Sequence, residues 1–420
     1  MKKIPLAFDT FDVQERGAVL DVMLSTFYTM GKKVAEFEEA LARWCGVKHA
    51  VMVNSGSSAN LLMVETLLRR SDPAQVKLRP GDHVLVPAVC WPTTVWPLIQ
   101  LGLVPVFVDV DPITLGIDLG RAEAAMNGHV KAMFWIHLLG RSGEMDEITD
   151  FCDQYNLVLL EDCCEALGAL HVGQHVGTFG HAGSLSFFFS HHLTTIEGGA
   201  ILTNDDALAD DLRGARAFGW VRDRRDKQKW LDLYSGMDPR FLFIGGGYNL
   251  RPMEIQGALG LVQLRKINSM LNWRRDHAAL LQEFLWEEAP FLHLIGKDCL
   301  ADLPSHSWMF LAFRVQKPFT AQMVKSMFEH HGIETRPVLT GNFLDHPAMV
   351  IQKPETCLRN FMPVADAVTR DCFMIGCPPM PVGQSGLLER IKDALAELKQ
   401  YAYGFDTTRS GSSYCAALAG

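Results

Sequence analysis

Short apolar runs, each followed by small or polar residues and then by a segment of helical periodicity, recur through the first half of this 420-residue chain. They fall at Ala50–Val53, His83–Val86, Val104–Val108, Ala132–Ile136, Leu157–Leu160 and Ser184–Phe189. Strands that are apolar along their whole length need cover on both faces, and crossover segments let neighbouring strands run parallel. The pattern predicts an α/β large domain built on a mostly parallel sheet. The stretch Val84 to Val110 is apolar enough to raise the question of a membrane span, but Pro87, Pro92, Pro97 and Pro105 interrupt it. Proline removes a helical hydrogen bond and clashes with the preceding turn, so a buried strand, a turn and a helix fit better.

Beyond about residue 260 the texture changes to a long helical pattern at Ala258–Leu285, a strand near Met309–Val315, and helices near Thr320–His331 and Leu387–Tyr401. Single cores stop growing at roughly 250–300 residues, so a large and a smaller domain sharing a cleft are expected. The division is set at 1–258 for the large domain and 259–402 for a smaller α+β domain. The tail 403–420, rich in Ser, Thr, Gly and Ala without periodicity, is expected to be disordered.

Charge and cysteine content exclude several classes of function. The 48 acidic residues outnumber the 39 basic ones, and no basic run would track a phosphate backbone, so no nucleic-acid partner is expected. No membrane association is expected either, and the two lysines at the start precede no apolar run of a secretory signal. Ten cysteines without paired spacing then read as reduced thiols in a cytoplasmic protein.

Three segments carry chemistry. Asn54–Asn60 places Gly56, Ser57 and Ser58 where a helix begins; such a turn either caps the helix or uses its free N–H groups to hold a phosphate. The run Leu157–Glu165 ends an apolar strand in Glu161 and Asp162, at the edge where α/β proteins build their sites. Asp162 there either pairs with a cationic ring nitrogen or caps the next turn. The third segment, Ser184–Ala200, carries Ser186, Ser190, His191, His192, Thr194, Thr195 and Gly198-Gly199, concentrating groups that bind phosphate and move protons. Adjacent histidines such as His191 and His192 point in different directions and seldom share an ion, and neither H-E-x-x-H nor C-x-x-C occurs, so no metal site is expected.

In order along the chain, these segments resemble the nucleotide-sugar aminotransferases, a family with the aspartate-aminotransferase fold. The likeness extends from about Pro5 to Tyr401 through Gly31…Phe37-Glu38, Ser55-Gly56-Ser57, Val108-Asp109, Glu161-Asp162, Ser186–Gly199 and Gly247-Tyr248-Asn249-Leu250-Arg251. The resemblance implies pyridoxal 5'-phosphate or pyridoxamine 5'-phosphate as cofactor. Asp162 would pair with its ring nitrogen, Trp91 would stack on the ring, and Gly56, Ser57 and Ser186 would hold its phosphate. Asn249 would help from a second subunit, which implies a homodimer with shared active sites.

One departure decides the chemistry that the likeness implies. Where the family carries a lysine, this chain has His191, and imidazole cannot form the stable internal Schiff base. The run Ser190-His191-His192…Thr194-Thr195-Ile196-Glu197-Gly198-Gly199 resembles the 3-dehydratase branch of the family. That branch implies a pyridoxamine-dependent loss of the 3-hydroxyl from a nucleotide-linked 4-keto-6-deoxy sugar, GDP-4-keto-6-deoxy-D-mannose first among them. L-Glutamate would restore the pyridoxamine form, and His191 would move the proton in both halves. Arg222, Arg224, Arg251 and Arg336 are candidate diphosphate contacts, and Glu165 and His192 candidate substrate contacts. A related branch binds an iron–sulfur cluster through cysteines, but no cysteine lies between Cys164 and Cys299, so no cluster is expected. Two other readings stand beside the dehydratase. A plain aminotransferase needs another lysine, and none lies between Lys131 and Lys227. A non-catalytic binding or regulatory member of the fold should also have lost Asp162, Ser186 and the Gly198-Gly199 turn.

Overall fold

The computed structural model describes residues 3–70, 76–296, 305–351 and 361–403. The expected disordered tail lies outside them, except for Tyr403 at the end of the last helix.

The large sheet is built from β1 (His49–Val53), β2 (His83–Pro87), β3 (Val104–Val108), β4 (Val130–Ile136), β5 (Val158–Asp162), β8 (Ala182–Ser186) and β9 (Gly199–Thr203), and β6 (Leu170–His171) and β7 (Gln174–His175) form a separate short hairpin. Its seven strands lie in the order β1-β9-β8-β5-β4-β2-β3. Pairs β3/β2, β2/β4, β4/β5 and β5/β8 are parallel, and β9 runs antiparallel to both its neighbours. The sheet is therefore mostly parallel, as its apolar strands predict, with one reversed strand. Val53, Val86, Val108, Phe134, Leu160 and Leu185 are buried along it, with helices packed on its faces.

The last apolar run ends earlier than expected. Its ladder stops at Ser186 rather than Phe189. The Phe187 N–H still reaches the Gly198 carbonyl, but the Phe187 carbonyl accepts from Thr195 N–H and the His191 N–H folds back to Phe188 O, so the chain turns. Phe188 and Phe189, 41% and 48% exposed, continue the apolar run without continuing the strand. The reversed strand β9 starts at the second glycine of what reads in the sequence only as a turn.

The smaller sheet, β10 (Leu292–Leu294), β11 (Phe310–Val315), β12 (Thr335–Arg336) and β13 (Cys372–Gly376), is antiparallel in the order β10-β11-β13-β12. A single helix, Glu254–Glu288, joins the two bodies. Its Ile267, Met270 and Leu271 pack in the core with Phe37 and Leu41, whereas Ala278, Leu281 and Leu285 pack with Leu311 and Phe313. The expected division at 258/259 falls within this helix. Ile4, near the start of the chain, also sits in the smaller core, its N–H bonded to Gly332 O and its carbonyl to Glu334 N–H. No helix among the described residues is long and apolar enough to cross a membrane.

Candidate active site

Register brings the three chemistry-bearing segments together. Asp162 at the end of β5 lies beside Ser184, Ser186 pairs with Gly199, and Gly199 pairs with Val53, directly before the turn at Ser55. This is the carboxyl end of the parallel strands, where α/β sheets leave a crevice for ligands. A cavity of about 400 Å³ opens there, lined by Gly56, Ser57, Trp91, Asp162, Glu165, Ser186 and His191 among others. Met309, Phe310, Leu339 and Met374 close it from the smaller domain.

Asp162 is a buried carboxylate held in one orientation. Its Oδ2 accepts from Asn60 Nδ2 at 2.8 Å and Thr94 Oγ1 at 2.7 Å, and its Oδ1 accepts from Cys164 N–H at 3.1 Å. Buried carboxylates persist only with such donors or a cation. Asn60 and Thr94, which sequence reading missed, come from two different helices, Gly56–Arg69 and Pro92–Gln100, and nothing in their local sequence marks a shared partner.

At the start of helix Gly56–Arg69, Ser55 caps the first turn by accepting from Ser58 N–H at 3.1 Å, and the Ser57 hydroxyl meets Thr93 Oγ1 at 3.1 Å. N–H groups of a first helical turn have no partner inside the helix and favour anions. Gly56 is required by close approach: a Cβ there would lie 2.5 Å from Ser186 Cβ and 2.9 Å from both Ser186 Oγ and Cys164 Sγ. Gly199 is required similarly, since its Cβ would meet the Ser55 carbonyl at 2.5 Å. The turn, Ser186 and the reversed strand thus form a cup that only small residues can close, and it suits a phosphate.

His191 and Glu165 face the same cavity. Burial, and then the nearby Arg274 guanidinium, pushes the His191 imidazole down to about 3, so it stands neutral. Its Nδ1 lies 3.4 Å from the Ser190 hydroxyl and its ring edges against Phe188. Burial raises the Glu165 carboxyl to about 7, against the 2.8 Å bond from Leu139 N–H that favours its anion, with Asp162 adding to the rise. Among the described residues no lysine lines the cavity.

Other candidates lie outside it. His192 is buried behind the loop, its Nε2 3.1 Å from the Ser307 carbonyl. Asn249 is exposed and pairs by its backbone with Ala217. Arg251 lies over the Phe218 ring at 4.7 Å, Arg336 pairs with Glu334 at 2.7 Å, Arg222 lies over Trp220 at 3.9 Å, and Arg224 pairs with Asp211 and Asp226.

One cluster has a metal-like composition: His137, Glu161 and Cys163 bring ligand atoms within 4.8 Å of one another. Its acceptors are already engaged. Glu161 receives Gly177, Phe179 and Gly180 N–H at 2.6, 2.9 and 2.6 Å and meets His137 Nε2 at 3.0 Å, which fills the roughly four lone-pair sites of a carboxylate. Burial also raises the Cys163 thiol well above its usual value. The cluster braces the strand behind Asp162.

A mostly parallel seven-stranded sheet with a fixed aspartate facing a helix-terminal cup defines the class of vitamin B6-dependent enzymes with the aspartate-aminotransferase fold. The model of the DegT/DnrJ/EryC1/StrS aminotransferase family matches residues 9–383, and the chain belongs to this family. It is 40% identical over 352 residues to a GDP-4-keto-6-deoxy-D-mannose 3-dehydratase of Yersinia pseudotuberculosis, covering 82% of this chain and 86% of that protein. The structure of the E. coli GDP-4-keto-6-deoxy-D-mannose-3-dehydratase with bound hydrated PLP is similar, with a TM-score of 0.84 at 32% identity over 94% of this chain and 100% of that one. A GDP-4-keto-6-deoxymannose-3-dehydratase with a trapped PLP-glutamate geminal diamine gives 0.84 at 32% identity over 93% and 100%.

Proposed function

We propose that this protein is a pyridoxamine-dependent 3-dehydratase that removes the 3-hydroxyl of GDP-4-keto-6-deoxy-D-mannose, with L-glutamate as the amino donor. The observation that carries the reading is His191 on the cavity wall together with Asp162, in a cavity with no lysine among its described lining residues. The 40% identical relative bears the name of this activity, which supports the choice of substrate.

The donors present fit the cofactor: a buried, fixed carboxylate for a ring nitrogen, and a helix-terminal cup for a phosphate. When bound, the cofactor supplies an amine and an electron sink. Asp162 would keep the ring nitrogen protonated, Trp91 would cover the ring, and Gly56, Ser57 and Ser186 would hold the phosphate. His191, neutral and with Nδ1 toward Ser190, offers Nε2 to take a proton and return it. The apolar side chains from the smaller domain exclude water. Overall, C3 loses hydroxide and gains hydrogen, L-glutamate supplies the electrons and becomes 2-oxoglutarate, and its nitrogen leaves as ammonia.

The active unit in this reading is a cytoplasmic homodimer. Phe218, whose N–H bonds to Tyr248 O next to Asn249, is 41% exposed, and Phe241, Phe243 and Met253 are 47–61% exposed, apolar side chains that a second subunit would cover. Asn249 does not line its own cavity, so it serves the phosphate of the neighbouring subunit, and Arg251 and Arg336 serve the diphosphate of the substrate. Mass spectrometry after incubation with pyridoxal phosphate, L-glutamate and GDP-4-keto-6-deoxy-D-mannose tests the proposal. Net loss of one oxygen with ammonia release is expected; a ketone replaced by an amine would make the protein an aminotransferase.

A further inference from the structure

His192 has no place in the chemistry above, yet it is buried beside the one residue that moves protons. Its partner, the Ser307 carbonyl, belongs to the smaller domain. A carbonyl only accepts, so Nε2 of His192 carries the proton and donates it. The segment around Ser307 is itself pinned. The carbonyl of His306 accepts from Arg275, and those of Trp308 and Met309 both accept from Nη1 of Arg274.

The same segment also reaches Glu165, another titratable group of the cavity. Met309 N–H donates to Leu139 O at 3.1 Å, and Ser307 N–H to Gly140 O at 2.9 Å, while Leu139 N–H donates to Glu165 at 2.8 Å. Leu139 and Trp308 adopt φ of +60° and +50°, a conformation that side-chain-bearing residues rarely hold unless their surroundings impose it. Residues 307–309 thus carry Glu165 through Leu139 on one side and the histidine loop through His192 on the other.

We infer that His192 is a positioning residue: its bond to Ser307 fixes the loop that aims His191 and sets the spacing between His191 and Glu165. The inference rests on the dehydratase reading. Leu193 beside it is buried in the core, and the Thr194 hydroxyl and Thr195 N–H both donate to Phe187 O, so these residues hold the far side of the loop while His192 ties it to the smaller domain. Misplacement of a proton-moving group by about 1 Å costs on the order of 100-fold in rate.

The test uses His192→Gln and His192→Asn proteins loaded with pyridoxal phosphate, with conversion by L-glutamate followed by stopped-flow absorbance. A glutamine amide reaches the position of Nε2, whereas an asparagine amide stops near Nδ1. His192→Asn should lower the maximal rate about 10- to 100-fold with half-saturating glutamate changed less than about threefold, and His192→Gln should recover most of the rate. Equal rates for wild type and His192→Asn would overturn the inference. So would equal loss in both variants, or a loss matched by weakened cofactor binding. A wild-type protein that glutamate does not convert would instead overturn the dehydratase reading and this inference with it.

Discussion

The hydroxyl of Thr94 donates to Oδ2 of Asp162 at 2.7 Å, so the aim of the strand-end carboxylate is set from a separate helix. Asp162→Asn, which keeps the shape and removes the charge, should slow conversion of bound cofactor by L-glutamate on the order of 10²- to 10³-fold. Thr94→Val removes one hydrogen bond to a charged group, worth about 2 kcal/mol, and should cost about 30-fold. Single-turnover rates of the two variants check the order, and Thr94→Val slower than Asp162→Asn would contradict it.

His191→Asn should bind pyridoxal phosphate as wild type does and lose both half-reactions by on the order of 10²- to 10⁴-fold, the usual contribution of a placed general base. His191→Lys restores an amine at the cavity wall. Borohydride should then attach the cofactor covalently to that variant and not to the wild type, as intact-mass measurement would show. Covalent attachment to wild-type protein would mean that another lysine reaches the site.

The sheet was legible because its strands are apolar along their length, and the helix starting after Ser55 because Asn54–Asn60 has the composition of a cap. The reversed strand β9 was not: Gly199 pairs on both sides, and a glycine pair reads as a turn whether or not a strand follows. Within the site, Asp162, Ser186 and His191 stand out as polar residues ending an apolar run, whereas Asn60 and Thr94 become visible only when two helices are placed in space. Some residues in the motifs of the resemblance are braces. Asp109 accepts from Val364 and Ala365 N–H, both at 2.9 Å, and so caps a helix of the smaller domain, and Glu38 pairs with Arg216 at 2.5 Å.

Gly56→Ala should weaken cofactor binding, because the added methyl meets Ser186 and Cys164 at less than van der Waals distance. Overpacking of this kind costs about 1–3 kcal/mol, which corresponds to roughly 5- to 150-fold in affinity if the cup shifts and the core does not. Titration of the apoprotein with pyridoxal phosphate measures it, and unchanged affinity would remove the cup as the phosphate site.

Glu165 gives a pH dependence of defined sign. Its ordinary value is 4.5 and its folded value about 7, so between these the folded chain holds the proton more tightly than the unfolded one. The stability it contributes is present below pH 4.5 and is lost as pH rises through 7. In urea titrations of the apoprotein, Glu165→Gln should therefore gain on the order of 2 kcal/mol relative to wild type between pH 5 and pH 8. A difference between the two that stays constant with pH would show that Glu165 is ionised throughout.

Asn249 is exposed in its own chain while His191 lines its own cavity, which makes the shared-site dimer separable by mixing. His191→Asn and Asn249→Ala homodimers should each be impaired, the first by loss of proton transfer and the second by weaker hold on the phosphate of the neighbouring subunit. In a mixed dimer, one cavity carries both defects and the other neither. Random reassortment makes about half of the dimers mixed, so activity should recover to roughly a quarter of the wild-type value. If Asn249 acted within its own chain, both cavities of every mixed dimer would carry a defect and mixing would restore nothing. Native mass spectrometry of the mixture, run beside the assay, counts the mixed dimers and so separates failure to reassort from failure to complement.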